Sequence, residues 1–229
     1  MYKIETHLHT KEVSGCAELT ASEQIQECAK KGYHTVFVTD HYAKGNFSKL
    51  ANLSWIEKVN MFCVGYMNAL KTGKDIGINV LLGIELTFTS TPNDYLVYGI
   101  TKEFLEEYPE LYNSRIEEFY PLAKSLGLFV VQAHPFRRNI CYPTPKYVDA
   151  LEIYNSNPRH EDYNERAKAL AREEGLLVTS GSDAHIWGDV GLGGMLSPKN
   201  IQTSADYIAL IKSGKGIVFK GEHFDVFYQ

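Results

Sequence analysis

Four short polar motifs stand where apolar runs stop: His7-Leu8-His9, Thr39-Asp40-His41, Ala133-His134-Pro135 and Asp183-Ala184-His185. A glutamate closes a further run in Gly83-Ile84-Glu85. This placement constrains the fold more than any other feature. A closed barrel of parallel strands collects all its strand ends on one face. An open doubly wound sheet concentrates its site at one switch point instead. Imidazoles and carboxylates converging on one rim are what a cluster of divalent ions needs. The chain therefore reads as a multinuclear metal-dependent hydrolase.

The intervening segments alternate between strand and helix signals. Lys3 to His7 opens as a strand, and Thr20-Ala21-Ser22-Glu23 is a capping box for a helix ending near Gly32. Thr35 to Thr39 is a continuous apolar strand, as expected when both faces are covered. Ser54-Trp55-Ile56-Glu57 is a second capping box, for a helix ending near Gly73. Strands are predicted at Val80 to Glu85, Tyr95 to Tyr98, Leu128 to Val131, Ala150 to Tyr154, Leu176 to Thr179 and Gly216 to Phe219. Helices are predicted at Ser114 to Ser125, Glu161 to Glu174 and Ser204 to Ser213. Seven or eight strands with intervening helices point to a barrel-like α/β fold. The irregular stretches Pro135 to Lys146 and Trp187 to Thr203 read as loops covering the site. No linker or repeat divides the chain, so residues 1–229 read as one domain.

Composition narrows the partners. At 229 residues and a formal net charge of -5, the chain has no general attraction for nucleic acid or anionic membrane. Long nucleic acid is not an expected partner, and there is no run long enough to span a membrane. Cys16, Cys28, Cys63 and Cys141 are scattered, which suits free thiols in a reducing compartment. MYKIETHLHT has no apolar stretch of the signal-peptide kind, so the expected location is the cytoplasm.

His7 and His9 are two apart, so on a strand both imidazoles face one way and can grip one ion. Asp183 and His185 repeat that geometry with one hard and one softer ligand. Glu85 ends the run from Val80 to Ile84, where a buried carboxylate is costly unless paired or metal-bound.

Taken in order, HLH, TDH, GIE, AHP and SDAH resemble the PHP domain, the polymerase and histidinol phosphatase superfamily, from residue 4 to about 195. The resemblance implies a distorted seven-stranded β/α barrel with a metal site at its C-terminal rim. It implies two to three divalent ions (zinc, manganese or iron) and phosphoester hydrolysis. It assigns His7, His9, Glu85 and Asp183 to a first ion, with Glu85 bridging to a second that also takes His134. His41 and His185 would hold the third. The chain departs from the pattern twice. Ser14 stands where an aspartate or histidine ligand is expected, so Glu12 becomes the substitute ligand, with Cys16 second. Asp94 stands in for a histidine after the glutamate strand. An oxygen-richer set leans toward manganese or iron over zinc.

Asp40 points to the face opposite His41 on an extended strand and reads as a support rather than a ligand. Arg137 and Arg138 follow the AHP motif, where an arginine fork suits a phosphate. Arg159 and His160 are further candidates for substrate contact. His34 and His223 read as structural or surface residues, and Ser182 lacks the elbow of a serine nucleophile. The function expected is hydrolysis of a small phosphorylated molecule by a metal-bound hydroxide, with Glu85, Asp183, Arg137 and Arg138 carrying the chemistry. Histidinol-phosphate phosphatase proper and a nucleotidase or nuclease are the enzyme alternatives; a metal-binding regulatory module is the alternative outside enzymes.

Overall fold

A computed structural model describes residues 1–226. Both expected capping boxes form. Thr20 and Ser54 each accept from the backbone three residues on, and Glu23 and Glu57 return the bond. The first starts α1 (Ala21–Lys30). The second starts α3 (Trp55–Phe62), which gives way at Cys63 to α4 (Val64–Ile76), so the single helix expected there is two. Gly77, at φ 81°, ends α4.

The strands are β1 (Tyr2–Glu5), β2 (Tyr33–Val38), β3 (His41–Ala43), β4 (Asn79–Thr87), β5 (Asp94–Tyr98) and β6 (Phe129–Gln132). They continue as β7 (Ala150–Asn155), β8 (Leu177–Gly181), β9 (Gly193–Ser197), β10 (Ile217–Lys220) and β11 (His223–Val226). The remaining helices are α2 (Lys44–Ser48), α5 (Lys102–Glu107), α6 (Ile116–Ser125), α7 (Asn164–Glu174) and α8 (Ser204–Lys212). No helix among the described residues is long and apolar enough to cross a membrane.

All eleven strands join one mixed sheet, ordered β11-β10-β9-β1-β2-β4-β5-β6-β7-β8, with β3 paired to β4. This is more than the seven strands expected, and the sheet is not all parallel. β1, β2 and β4 run parallel, as do β6, β7 and β8. β5 runs antiparallel between β4 and β6. β9 lies antiparallel to β1 within the stretch expected to be a covering loop. Its sequence, GGMLS, has no alternating pattern; β1 and β10 supply its pairing from both sides.

The sheet curls until the segments following β1 and β8 meet. Leu8 and Ala184 form a parallel bridge, and the His9 N–H donates to the Ala184 carbonyl at 3.1 Å. Inside the curl, Phe37, Tyr98 and Tyr207 pack ring on ring, with centroids 4.8–5.0 Å apart. The Tyr98 hydroxyl donates to the Thr6 carbonyl at 2.8 Å, joining this floor to the backbone beside His7. Gly181 makes room at the same level. A Cβ there would stand 2.4 Å from the His7 Cβ and 3.0 Å from Glu152 Oε1.

Candidate metal centre

The ligand-type residues lie just past the C-terminal ends of β1, β2, β6 and β8 and near the end of β4. All of those strands run the same way, so their side chains meet. Asp94 joins from the start of β5, because an antiparallel strand begins at the end where its neighbours finish. His7 and His9 have ring centroids 5.1 Å apart.

Glu85 is buried among four imidazoles. Its Oε1 lies 3.0 Å from His134 Nε2 and 3.2 Å from His7 Nε2. Its Oε2 lies 2.6 Å from His41 Nδ1 and 3.5 Å from His9 Nε2. Asp183 Oδ1 is 3.2 Å from His9 Nε2 and 3.5 Å from His7 Nε2. Among the described residues, four groups of side chains are close enough to hold an ion: His7/His9/Glu85, His7/His134/Asp183, Glu85/Asp94/His134 and His9/His41/His185. His7 Nε2 and His9 Nε2 are buried with no hydrogen-bond partner, and Glu85 Oε2 beside them is faced by His41 Nδ1. Unsatisfied buried polar atoms cost about 1–3 kcal/mol each, more when charged. A divalent cation among them would satisfy both imidazole nitrogens and the Glu85 charge, so the donor set fits the ions that the motifs imply.

The electrostatics favour the ligating forms of the carboxylates. Burial raises the Glu85 pKa, but His7 and His41 outweigh it and hold the group well below the usual carboxylate range. Burial likewise opposes ionisation of Asp183, and His7 and Arg137 overcome it. His9 is pushed well below the ordinary histidine value by burial and by the neighbouring His41 and His185, which keeps its ring neutral. His7 goes the other way. Burial disfavours its charge, but Glu152, Asp183 and Glu85 raise its pKa well above the usual value. A cation held by His7 Nε2 would have to displace a proton from that ring. His134 (φ 28°) and Asp183 (φ 53°) sit in the left-handed region, the kind of local strain that clusters at functional sites.

Glu12 does not join the cluster. It is exposed, and its carboxylate accepts from the Ala21 N–H at 2.9 Å and from Asn68 Nδ2 at 3.2 Å. The open N–H groups at the start of α1 take the charge expected to reach a metal. Ser14 turns inward, donating to Asp40 Oδ1 at 2.7 Å and accepting from the His41 N–H at 3.1 Å. Asp40 also accepts from Thr10 N and Thr10 Oγ1, both at 2.7 Å, so it braces the loop after His9. Cys16, the second candidate, is exposed, on a loop tied back by the Ala17 N–H to the Ser14 carbonyl and by the Glu18 N–H to the His185 carbonyl, both at 2.8 Å.

The arginines are differently employed from the phosphate fork expected of them. Arg137 spans two carboxylates, with Nε 2.7 Å from Asp162 Oδ1 and Nη2 2.6 Å from Asp183 Oδ2. It thereby pins Asp183 with Oδ1 facing the histidines. Arg138 is exposed and meets His160 Nδ1 at 2.7 Å. Arg159 is tied to Asp189 at 2.7 Å, and Asp189 in turn accepts from the His185 N–H. His34 accepts from the Lys3 N–H beside Tyr2, at the far end of β2. His223 is exposed on β11. Ser182 gives its N–H to Glu5, and its Oγ lies 3.4 Å from the His7 carbonyl.

Two buried glutamates supporting the centre were not singled out from the sequence. Glu152 Oε1 faces His7 Nδ1 at 2.9 Å, while its Oε2 accepts from the His134 N–H at 3.1 Å and Asn155 Nδ2 at 3.0 Å. Glu5 Oε1 accepts from the N–H groups of Thr6, His7 and Ser182, each at 3.0 Å. Burial pushes the Glu5 carboxyl up to about 7 against the pull of the Ser182 and His7 N–H groups. The signal that marks Glu85, a carboxylate in an apolar run, is also present at Glu152 within Ala150 to Tyr154.

Residues 161–215 match the model of a family described as PHP-associated. No curated protein sequence gives a significant match. Solved structures do. A two-domain protein from Bacteroides vulgatus, containing a predicted PHP-like metal-dependent phosphoesterase, superposes with a TM-score of 0.71 at 14% identity, over 97% of this chain and 66% of its own. PsfC from Pseudomonas syringae gives 0.62 at 17% identity, over 91% of this chain and 88% of its own. A Bifidobacterium adolescentis protein classed as a metal-dependent phosphoesterase gives 0.53 at 18% identity, over 93% of this chain and 95% of its own. At such identities the likeness is one of fold. The chain spans about two thirds of the length of the first of these proteins.

Proposed function

We propose that the chain belongs to the PHP superfamily and is a metal-dependent hydrolase acting on the phosphate ester of a small molecule, a reading supported by the PHP-associated match and the fold likeness. In this reading β1, β2 and β4 to β8, contiguous in the sheet, are the seven strands of the barrel, and the Leu8–Ala184 bridge closes it. The observation that carries the activity is the set of buried, unpartnered ligand atoms around Glu85 and Asp183. Divalent ions held there supply Lewis acidity: they acidify water and neutralise phosphoryl oxygens.

The chain's own groups prepare that chemistry. Glu85 turns Oε1 toward His7 and His134 and Oε2 toward His9 and His41, so it could hold ions through both of its oxygens. Asp94 adds an oxygen beside Glu85 and His134. Glu152 keeps the His7 proton on Nδ1, leaving Nε2 for a ligand bond. The Asp183 carbonyl does the same for His185 Nδ1 at 2.9 Å. Arg137 fixes Asp183 rather than gripping substrate, so the exposed Arg138, 2.7 Å from His160, is the arginine of the pair that would be left to meet a phosphate.

The test is turnover of p-nitrophenyl phosphate, then of a panel including histidinol phosphate and nucleotides, by manganese-loaded and zinc-loaded protein. Phosphate release that is abolished by chelator and by Glu85→Gln is the expected result. Metal-loaded protein that hydrolyses amides but no phosphate ester would refute the phosphoesterase reading.

A further inference from the structure

Asn155 ends β7 opposite Gly181, and its fully buried side chain lies between two carboxylates of the centre. Its Nδ2 donates to Glu152 Oε2 at 3.0 Å and to Asp183 Oδ2 at 3.2 Å. An amide nitrogen carries two protons, so each carboxylate receives one. Oδ1 accepts from the Asn157 N–H at 3.1 Å, which fixes the end of the amide that faces the carboxylates. The backbone is clamped as well. Asn164, the first residue of α7, accepts from the Asn155 N–H at 3.0 Å and donates to its carbonyl at 2.9 Å.

The consequence falls on Asp183. Its Oδ2 takes Arg137 Nη2 at 2.6 Å as well as the Asn155 amide, which uses both lone-pair sites of that oxygen. Oδ1 remains, facing His9 Nε2 and His7 Nε2 at 3.2 and 3.5 Å. Asn157 holds the other end of the residue, donating Nδ2 to the Asp183 carbonyl at 3.1 Å, where φ is 53°. The same Asn155 amide steadies Glu152, whose other oxygen faces His7 Nδ1 at 2.9 Å. An apolar residue at 155 would offer no donor, and an acidic one would add a third negative charge.

We propose that Asn155 is a positioning residue of the metal centre: it aligns Asp183 with Glu152 and leaves Asp183 Oδ1 as the single oxygen that Asp183 offers an ion. The inference rests on the metallohydrolase reading above.

The experiment uses the whole protein, stripped with chelator and titrated with zinc against a chelating dye. Asn155→Ala should lose about 10–100-fold in zinc affinity, the usual effect of removing a group that orients a ligand. Asn164→Ala is the comparison, because it removes both bonds to the residue 155 backbone and leaves the carboxamide in place. It should lower the urea midpoint of the metal-free protein while keeping the zinc affinity. Equal zinc affinity in Asn155→Ala and the unmutated protein, or an equal loss in both variants, makes Asn155 a purely structural residue and overturns the proposal, leaving the carboxylate centre standing. Should Asn155→Ala not fold, the unmutated protein decides. The Asn155 side-chain amide protons should exchange slowly with water by NMR in the zinc-loaded protein, and rapid exchange there overturns the alignment. An unmutated protein that binds no zinc, manganese or iron overturns both this proposal and the metallohydrolase reading.

Discussion

Replacing Glu152 with glutamine removes one charge and changes almost nothing in shape, so its effect can be worked out from the hydrogen bonds. Three buried donors face the two carboxylate oxygens: His7 Nδ1 at 2.9 Å, the His134 N–H at 3.1 Å and Asn155 Nδ2 at 3.0 Å. A glutamine offers one oxygen and turns an NH2 group toward the remainder. Whichever way the amide lies, at least one buried donor loses its acceptor, at a cost of about 1–3 kcal/mol. If the lost partner is His7, the ring is no longer held with Nε2 toward Glu85 and Asp183. Losing such an orienting carboxylate typically weakens metal affinity about 10–100-fold, or about 1.4–2.7 kcal/mol. Two measurements separate the effects. Urea unfolding of metal-free protein reads the stranded donor, and zinc titration against a chelating dye reads the ligand geometry. We expect Glu152→Gln to lower both. If neither stability nor zinc affinity changes beyond error, Glu152 does not orient His7.

Glu12→Ala should lower stability by about 0.5–2 kcal/mol, the usual cost of a lost helix cap, and leave the number of bound ions unchanged in elemental analysis; a lost ion would make Glu12 a ligand after all. Gly181→Ala should cost stability through overpacking, about 1–3 kcal/mol or more by thermal or urea unfolding, because the new Cβ would press on the His7 Cβ; a variant as stable as its parent would contradict that packing. Asp225 ties β11 to α7 through Lys168 at 2.5 Å and to β7 through the Tyr154 hydroxyl. Those bonds hold its pKa below the ordinary 3.8, so the stability it contributes is present above that value and lost as pH falls through the depressed one. Asp225→Asn should remove that component from the acid-unfolding curve, and hydrogen exchange should show β11 opening more readily at neutral pH; an unchanged acid curve would mean that the pair contributes nothing.

Much of the site is legible in the chain because its signals are local. His7 and His9 share a face by strand geometry alone, and Thr20 and Ser54 cap helices with the glutamates three residues on. Glu85 and Glu152 carry the same local signal, yet only the packed sheet reveals their different places. Glu85 lies among four histidine rings, whereas Glu152 stands behind His7. The alternation of strands and helices likewise points to a curled α/β sheet, but not to β9, whose glycine-rich sequence becomes a strand only between β1 and β10.

What the sequence by itself determined was the chemistry on offer: imidazoles and carboxylates where apolar runs end, and a departure from the usual ligand pattern at Ser14. The tertiary structure decided how that chemistry is distributed. The reversal of β5 brings Asp94 to the cluster, and Arg137 goes to Asp162 and Asp183 instead of standing free for a phosphate. Glu12 goes to the start of α1, and Ser14 goes to Asp40 and the His41 N–H. The physical reason is competition. A buried charge or an open helix terminus takes the nearest complementary partner in space, and that partner is set by strand direction and loop path rather than by distance along the chain.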